Sequence, residues 1–165
     1  MHVSVKSRLR VAGVFTFVLL ACVTQQARAD IKSDTDHPSY FFEAEPHFVI
    51  SPFHGGGVGA GFEGTFNVAN QGFIHRVNDS VGVGFGADWT NNDHWLLSGA
   101  MQWNFWLSDK WSVFGNPGIG IRLLDDNVNF WPTFGAGGRF HFTPNVTLTM
   151  RVGFPVTAVG VSFLL

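Results

Sequence analysis

Cysteine is almost absent from this sequence: Cys22 is the only one in 165 residues. A small exported fold then has no disulfide framework, so another constraint must stabilise it. Basic residues are few, ten in all, with no basic cluster of the kind that binds nucleic acid or an anionic membrane surface. Long hydrophobic runs are missing too. The apolar stretch Val11 to Val23 has 13 residues, short of the roughly 20 a spanning helix needs. Sustained 3.6-residue periodicity is also lacking, and 19 of the 20 glycines lie beyond residue 29, which argues against helices there.

What is present begins with an export signal. Lys6, Arg8 and Arg10 precede the apolar stretch, and Ala27-Arg28-Ala29 supplies the small-x-small pattern that a signal peptidase reads. Residues 1–29 are therefore read as a cleaved secretory signal. Leu19-Leu20-Ala21-Cys22 offers a competing site, where Cys22 would be lipidated and become the mature N-terminus. Cleavage after Ala29 removes four of the ten basic residues and none of the twelve acidic ones. It leaves 136 residues at a net charge of −6 with no cysteine. That length suits one domain. Residues 30–39 read as a polar lead-in and 40–165 as the folded domain.

From Tyr40 onward, apolar residues alternate with glycine or polar ones. In Ser80 to Trp89 one face carries Val81, Val83, Phe85, Ala87 and Trp89, and the other carries Gly82, Gly84, Gly86 and Asp88. Side chains on a strand alternate faces with period two, so such a strand has one greasy and one small or polar side. Eight strands are predicted, over about 41–50, 57–68, 80–89, 95–107, 111–123, 130–142, 146–153 and 157–165. Turn chemistry separates them at Thr90 to Asp93, Ser108 to Lys110, Asp125 to Asn127 and Thr143 to Asn145. Each strand has one face free of charge. By the same register Glu43, Glu45, Glu63, Asp88, Arg122, Arg139 and Arg151 share the other face with His47 and His141. A soluble sandwich would reverse the faces, packing the aromatics inside and leaving the arginines in water. Tryptophan placement favours the inverted arrangement. Trp89 and Trp95 flank one hairpin, and Trp106 and Trp111 flank the next, at strand ends where aromatic girdles meet membrane interfaces.

These features predict an all-β fold, an eight-stranded antiparallel up-and-down transmembrane β-barrel. With its closing strand Thr157 to Leu165, the chain resembles small bacterial outer-membrane β-barrel proteins of the OmpA/OmpX type. The resemblance covers Tyr40 to Leu165 and rests on strand pattern. It implies that Gly160, Phe163 and Leu165 belong to a C-terminal signal read by the barrel-assembly machinery. Leu165 stands where the family has an aromatic, and Ala158 where it has a polar residue. The resemblance also implies a monomer in outer-membrane lipid, with both termini periplasmic and the connections 51–56, 90–94, 125–129 and 153–156 outside. These connections are short, which disfavours adhesion. Pro46, Pro117 and Pro132 sit awkwardly in such a wall, because a closed barrel offers proline no free edge.

The lumenal charges are the first candidate site. They read either as a structural ion-pair network, since eight strands leave just enough width for side chains, or as a polar channel or proton-sensitive gate. Inward glycines form rows at Gly57, Gly59, Gly61, Gly82, Gly84, Gly86, Gly118, Gly120, Gly135 and Gly137. They either relieve crowding or line a cavity for water or a small hydrophobic ligand. His94 and Ser98 suggest a lipid-modifying pair, but four residues along a strand separate them by about 13 Å, too far for a base–nucleophile hydrogen bond. His47, His54, His75, His94 and His141 have no zinc-ligand spacing, so no metal is expected, and no cofactor. Gly55-Gly56-Gly57 lacks the lysine and helix of a phosphate loop and reads as a turn. The expected function is non-catalytic and structural or envelope-maintaining. A narrow pore or lumenal binder of small hydrophobic molecules, a lipid-modifying enzyme and a soluble secreted barrel are the alternatives.

Overall fold

The computed structural model describes residues 37–51, 57–74, 77–91, 94–124 and 127–165. The signal at 1–29, most of the lead-in, Gly55 and Gly56 therefore lie outside the described residues. Nine segments follow: β1 Phe42–Ile50, β2 Val58–Ala69, β3 Asp79–Thr90, β4 His94–Trp106, β5 Trp111–Gly115, β6 Gly118–Leu124, β7 Asn127–Thr143, β8 Val146–Phe154 and β9 Thr157–Leu164. Each pairs antiparallel with its neighbours, and β9 returns to pair with β1, with Phe48 opposite Val159. The amides of Phe41 and Phe42 both donate to the Leu165 carbonyl at that seam. The sheet is thus closed, as a chain exposing backbone to hydrocarbon requires.

Nine segments make eight barrel strands, because β5 and β6 are one strand broken at Asn116-Pro117. Proline has no N–H to give the ladder. The Pro117 carbonyl still accepts from the Met101 amide at 3.0 Å, and the Asn116 amide donates to Gly135 at 2.9 Å. Register therefore passes through unshifted: Trp103 faces Gly115 before the break and Ala100 faces Gly118 after it. Pro46 is accommodated differently. Pairing of β1 with β9 lapses after Ala44 opposite Phe163 and resumes at His47 opposite Gly160. Pro132 lies within β7, opposite Ile119.

The wall is inside out. Among the described residues, twenty polar or charged side chains are buried against eight apolar ones, while twenty-seven large apolar side chains are exposed. Water would not tolerate such an apolar surface, far beyond the patches a soluble monomer shows; lipid hydrocarbon does. Tyr40, Leu165, the end of β2, the start of β3 and the 106–111 and 143–146 turns lie at one end of the barrel, called here the terminal end. The end of β1, the start of β2, the end of β3, the start of β4, the end of β6, the start of β7 and the 154–157 turn lie at the other, the loop end.

Candidate functional site

Alternation along β1 turns Glu43, Glu45 and His47 inward, one above the next. Each meets a different set of partners. Nearest the terminal end, the Arg139 guanidinium from β7 reaches Glu43 at 2.7 Å and donates to Asn104 of β4 at 2.5 Å. The Gln102 amide fills the second Glu43 oxygen at 3.0 Å. Below this layer Tyr40, Trp106 and Leu164 close the lumen with apolar bulk. His37 stacks on Trp106 at 4.9 Å, and Ser112 and His141 pair at 2.9 Å. Burial raises the Tyr40 phenol well above its ordinary pKa, with the Glu43 carboxylate adding to the rise.

Nearer the loop end, Arg151 of β8 bridges Glu45 and Glu63, which face each other across the β1–β2 ladder. Ser162 donates to Glu45 at 3.2 Å. His47 then joins Glu45, at 3.4 Å, to Asp88, at 2.7 Å. Between the two arginines lies Phe114, its ring 4.3 Å from the Arg139 guanidinium carbon and 5.8 Å from that of Arg151. Cation–π contact in a desolvated site of this kind fixes both guanidinium groups against one ring. Arg122 is level with Asp88 and Leu96 by strand register, half-buried, and closer to the loop end than the Arg151 layer.

The inward glycines make room for neighbouring strands, some for large side chains and others for small ones or backbone. A Cβ at Gly61 would lie 2.0 Å from Asp88 Oδ1 and 2.5 Å from His47 Nε2. At Gly137 it would meet the Phe114 ring at 2.4 Å, and at Gly135 the Asn116 oxygen at 2.5 Å. Gly82 and Gly84 face Thr65, Gly86 faces Ser98, Gly118 faces Ala100, and Gly120 faces Leu96 and Thr133. Gly59 packs on the Trp89 backbone, and Gly57, just before β2, has a φ of 150°. Two adjoining spaces of about 40 Å³ each remain toward the loop end, far below the volume of a typical ligand pocket.

Three of the four girdle tryptophans lie on the outer face. Trp89 and Trp95 are exposed and directly paired, and Trp111 is exposed against Phe140. Trp106 corrects the expectation. It is only 4 % exposed and points inward, with its indole N–H 3.3 Å from the Ser80 hydroxyl. Position decides this: Trp106 continues the inward series of Gln102 and Asn104 on β4, so register outranks nearness to a strand end. Gly160 packs on His47, while Phe163 and Leu165 are exposed. His94 and Ser98 lie on one strand, β4, and the His94 side chain is outside the described set, as are His54 and His75. Asn104, Gln102, Phe114 and Ser162 complete the network without having been singled out. Their inward positions were the only signal that pointed to them.

No protein-family model matches the sequence, and no curated protein sequence is significantly similar to it. Solved structures are similar in fold. A barrel from the de novo design of transmembrane β-barrels superposes with a TM-score of 0.55 at 18 % identity, covering 74 % of this chain and 95 % of that one. The designed barrel TMB2.3 gives 0.55 at 16 % identity, with 80 % and 98 % covered. The outer membrane protein Ail of Yersinia pestis, in a phospholipid bilayer nanodisc, gives 0.51 at 13 % identity, with 77 % and 100 % covered. At such identities the likeness is one of fold, and the fold is that of the small eight-stranded outer-membrane barrels.

Proposed function

We propose that this chain is a non-catalytic barrel of the bacterial outer membrane with a structural, envelope-maintaining role. It would be exported by its N-terminal signal, inserted by the barrel-assembly machinery and monomeric in lipid. One observation carries this reading: the lumen is crossed by Arg139–Glu43 and by Arg151 with Glu45 and Glu63, with Phe114 between them. A conducting pore needs a continuous polar passage, and a binder of hydrophobic molecules needs an apolar void; ion pairs across the bore supply neither. Breaking them to open a path strands buried charges, which is costly.

The test joins two measurements on the full chain. In the outer-membrane fraction, unboiled protein should migrate faster in detergent gels than boiled protein. Reconstituted in a planar bilayer, it should leave conductance at baseline. A heat-insensitive band in the soluble periplasm would overturn the membrane assignment, and stepwise conductance would replace the structural reading with a pore.

A further inference from the structure

Buried polar atoms without a hydrogen-bond partner occur in both halves of the lumen: Gln102 Oε1, Arg139 Nε and His141 Nδ1 toward the terminal end, and Glu63 Oε1, Asn116 Oδ1 and Arg151 Nε toward the loop end. The second trio is set apart by the space it shares. Its residues are 7 %, 7 % and 8 % exposed, so bulk water does not account for them. All three residues line the same space of about 40 Å³, which by volume holds about three waters. Gly135 keeps this space open beside Asn116 and the Arg151 stem, where a Cβ would fall 2.5 Å and 3.3 Å from them. Buried polar groups in native proteins are almost always satisfied, by protein or by an ordered guest.

The chemistry of the guest follows from the trio. Two of the atoms accept and one donates. An anion would oppose Glu63, and a bare cation would oppose Arg151. The charges facing the space and its neighbour are nearly balanced, with Glu63 and Asp88 against Arg151 and Arg122 beside His47. Only an uncharged group that both donates and accepts suits all three. We propose that the loop-end half of the lumen is a blind vestibule that binds hydroxyl groups, from water or a small alcohol, on a floor of Glu63, Asn116 and Arg151. Phe114 and the Arg139–Glu43 layer close it from below. It rests on the closed-lumen reading above.

Asn104 supplies an internal control. It lies in the terminal half with both ends of its amide occupied, by Arg139 and by Ser80. Full-length protein, isotope-labelled and folded in lipid nanodiscs, would be examined for nuclear Overhauser contacts to solvent. Cross-peaks at the water frequency are expected at the Asn116 amide and the Arg151 Nε–H, with none at Asn104. On titration with ethylene glycol, persistence of the water peaks identifies water as the occupant. Their replacement by methylene peaks identifies a small alcohol. Absence of both at Asn116, or equal peaks at Asn104, overturns the proposal. Asn116→Leu should abolish the Arg151 peaks while keeping the heat-dependent gel shift; peaks that persist in a folded variant remove Asn116 from the floor. If the variant does not fold, the wild-type comparison decides. Bilayer conductance with peaks at Asn116 but not Asn104 would overturn the closed-lumen reading. A silent bilayer with no peaks at Asn116 would overturn the vestibule alone.

Discussion

Along β4, Trp95 and Leu97 stand on the outer face while Gln102, Asn104 and Trp106 stand on the inner one, and the two faces obey different rules. Outside, the neighbours are lipid, which moves to fit whatever apolar shape it meets. Inside, the large side chains of the network are matched to residues on other strands: Phe114 to Gly137, Arg151 to Glu45 and Glu63, His47 to Asp88 and Gly61. Composition is what matters on the outer face; identity and position matter on the inner one. Equivalent substitutions on the two faces should therefore have unequal effects.

The largest difference should come from charge. Arg151→Ala leaves Glu45 and Glu63 facing each other without their shared cation, and should cost about 3–5 kcal/mol. Urea unfolding in lipid vesicles, followed by tryptophan emission, measures it. Adding Glu63→Gln should recover part of the loss, and no recovery would show that the two carboxylates do not oppose each other. On the outer face the offence is a charge gained. Phe85→Arg, in the middle of β3, should cost about 2–4 kcal/mol. In the exposed turn, Lys110→Ala should stay within about 0.5 kcal/mol.

Shape gives the next contrast. Gly137→Ala puts a methyl 2.4 Å from the Phe114 ring and 2.5 Å from the Met150 carbonyl, an overpacking cost of about 1–3 kcal/mol. Gly99→Ala points outward, with its nearest atom at 3.9 Å, and should change stability by less than about 0.5 kcal/mol. Equal losses at the two glycines in the same unfolding assay would dissolve the distinction between the faces. The smallest contrast separates two tryptophans. Trp106→Phe forfeits the hydrogen bond to Ser80 and should cost about 1 kcal/mol, whereas Trp111→Phe on the outer face should be near neutral.

Much of the fold was legible because period-two alternation is a local property. Ser80 to Trp89 states its sidedness in ten residues, and turn residues mark the ends. The same alternation named Glu43, Glu45, Glu63, Asp88, Arg139 and Arg151 as inward. It could not say which arginine meets which acid. That depends on stagger between strands far apart in sequence: Arg151 and Glu63 are 88 residues apart, Arg139 and Glu43 are 96. Trp106 went astray because two rules competed there, strand-end position and face parity, and parity prevailed. The glycines were ambiguous for a related reason. A sequence shows that Gly137 is small, but only the neighbouring strand shows that Phe114 occupies the room it leaves.

The pairing of β1 with β9 also has a bearing on time. Before the sheet closes, the first strand carries a row of open backbone donors and acceptors on one side, and their partner comes only about a hundred residues later. Their partner is the strand furthest away along the polymer, so ring closure is the most non-local event in folding and among the slowest to nucleate. Until it happens, β1 is a sticky ribbon, apt to zip onto any other chain that passes. That margin is covered only once head and tail have met.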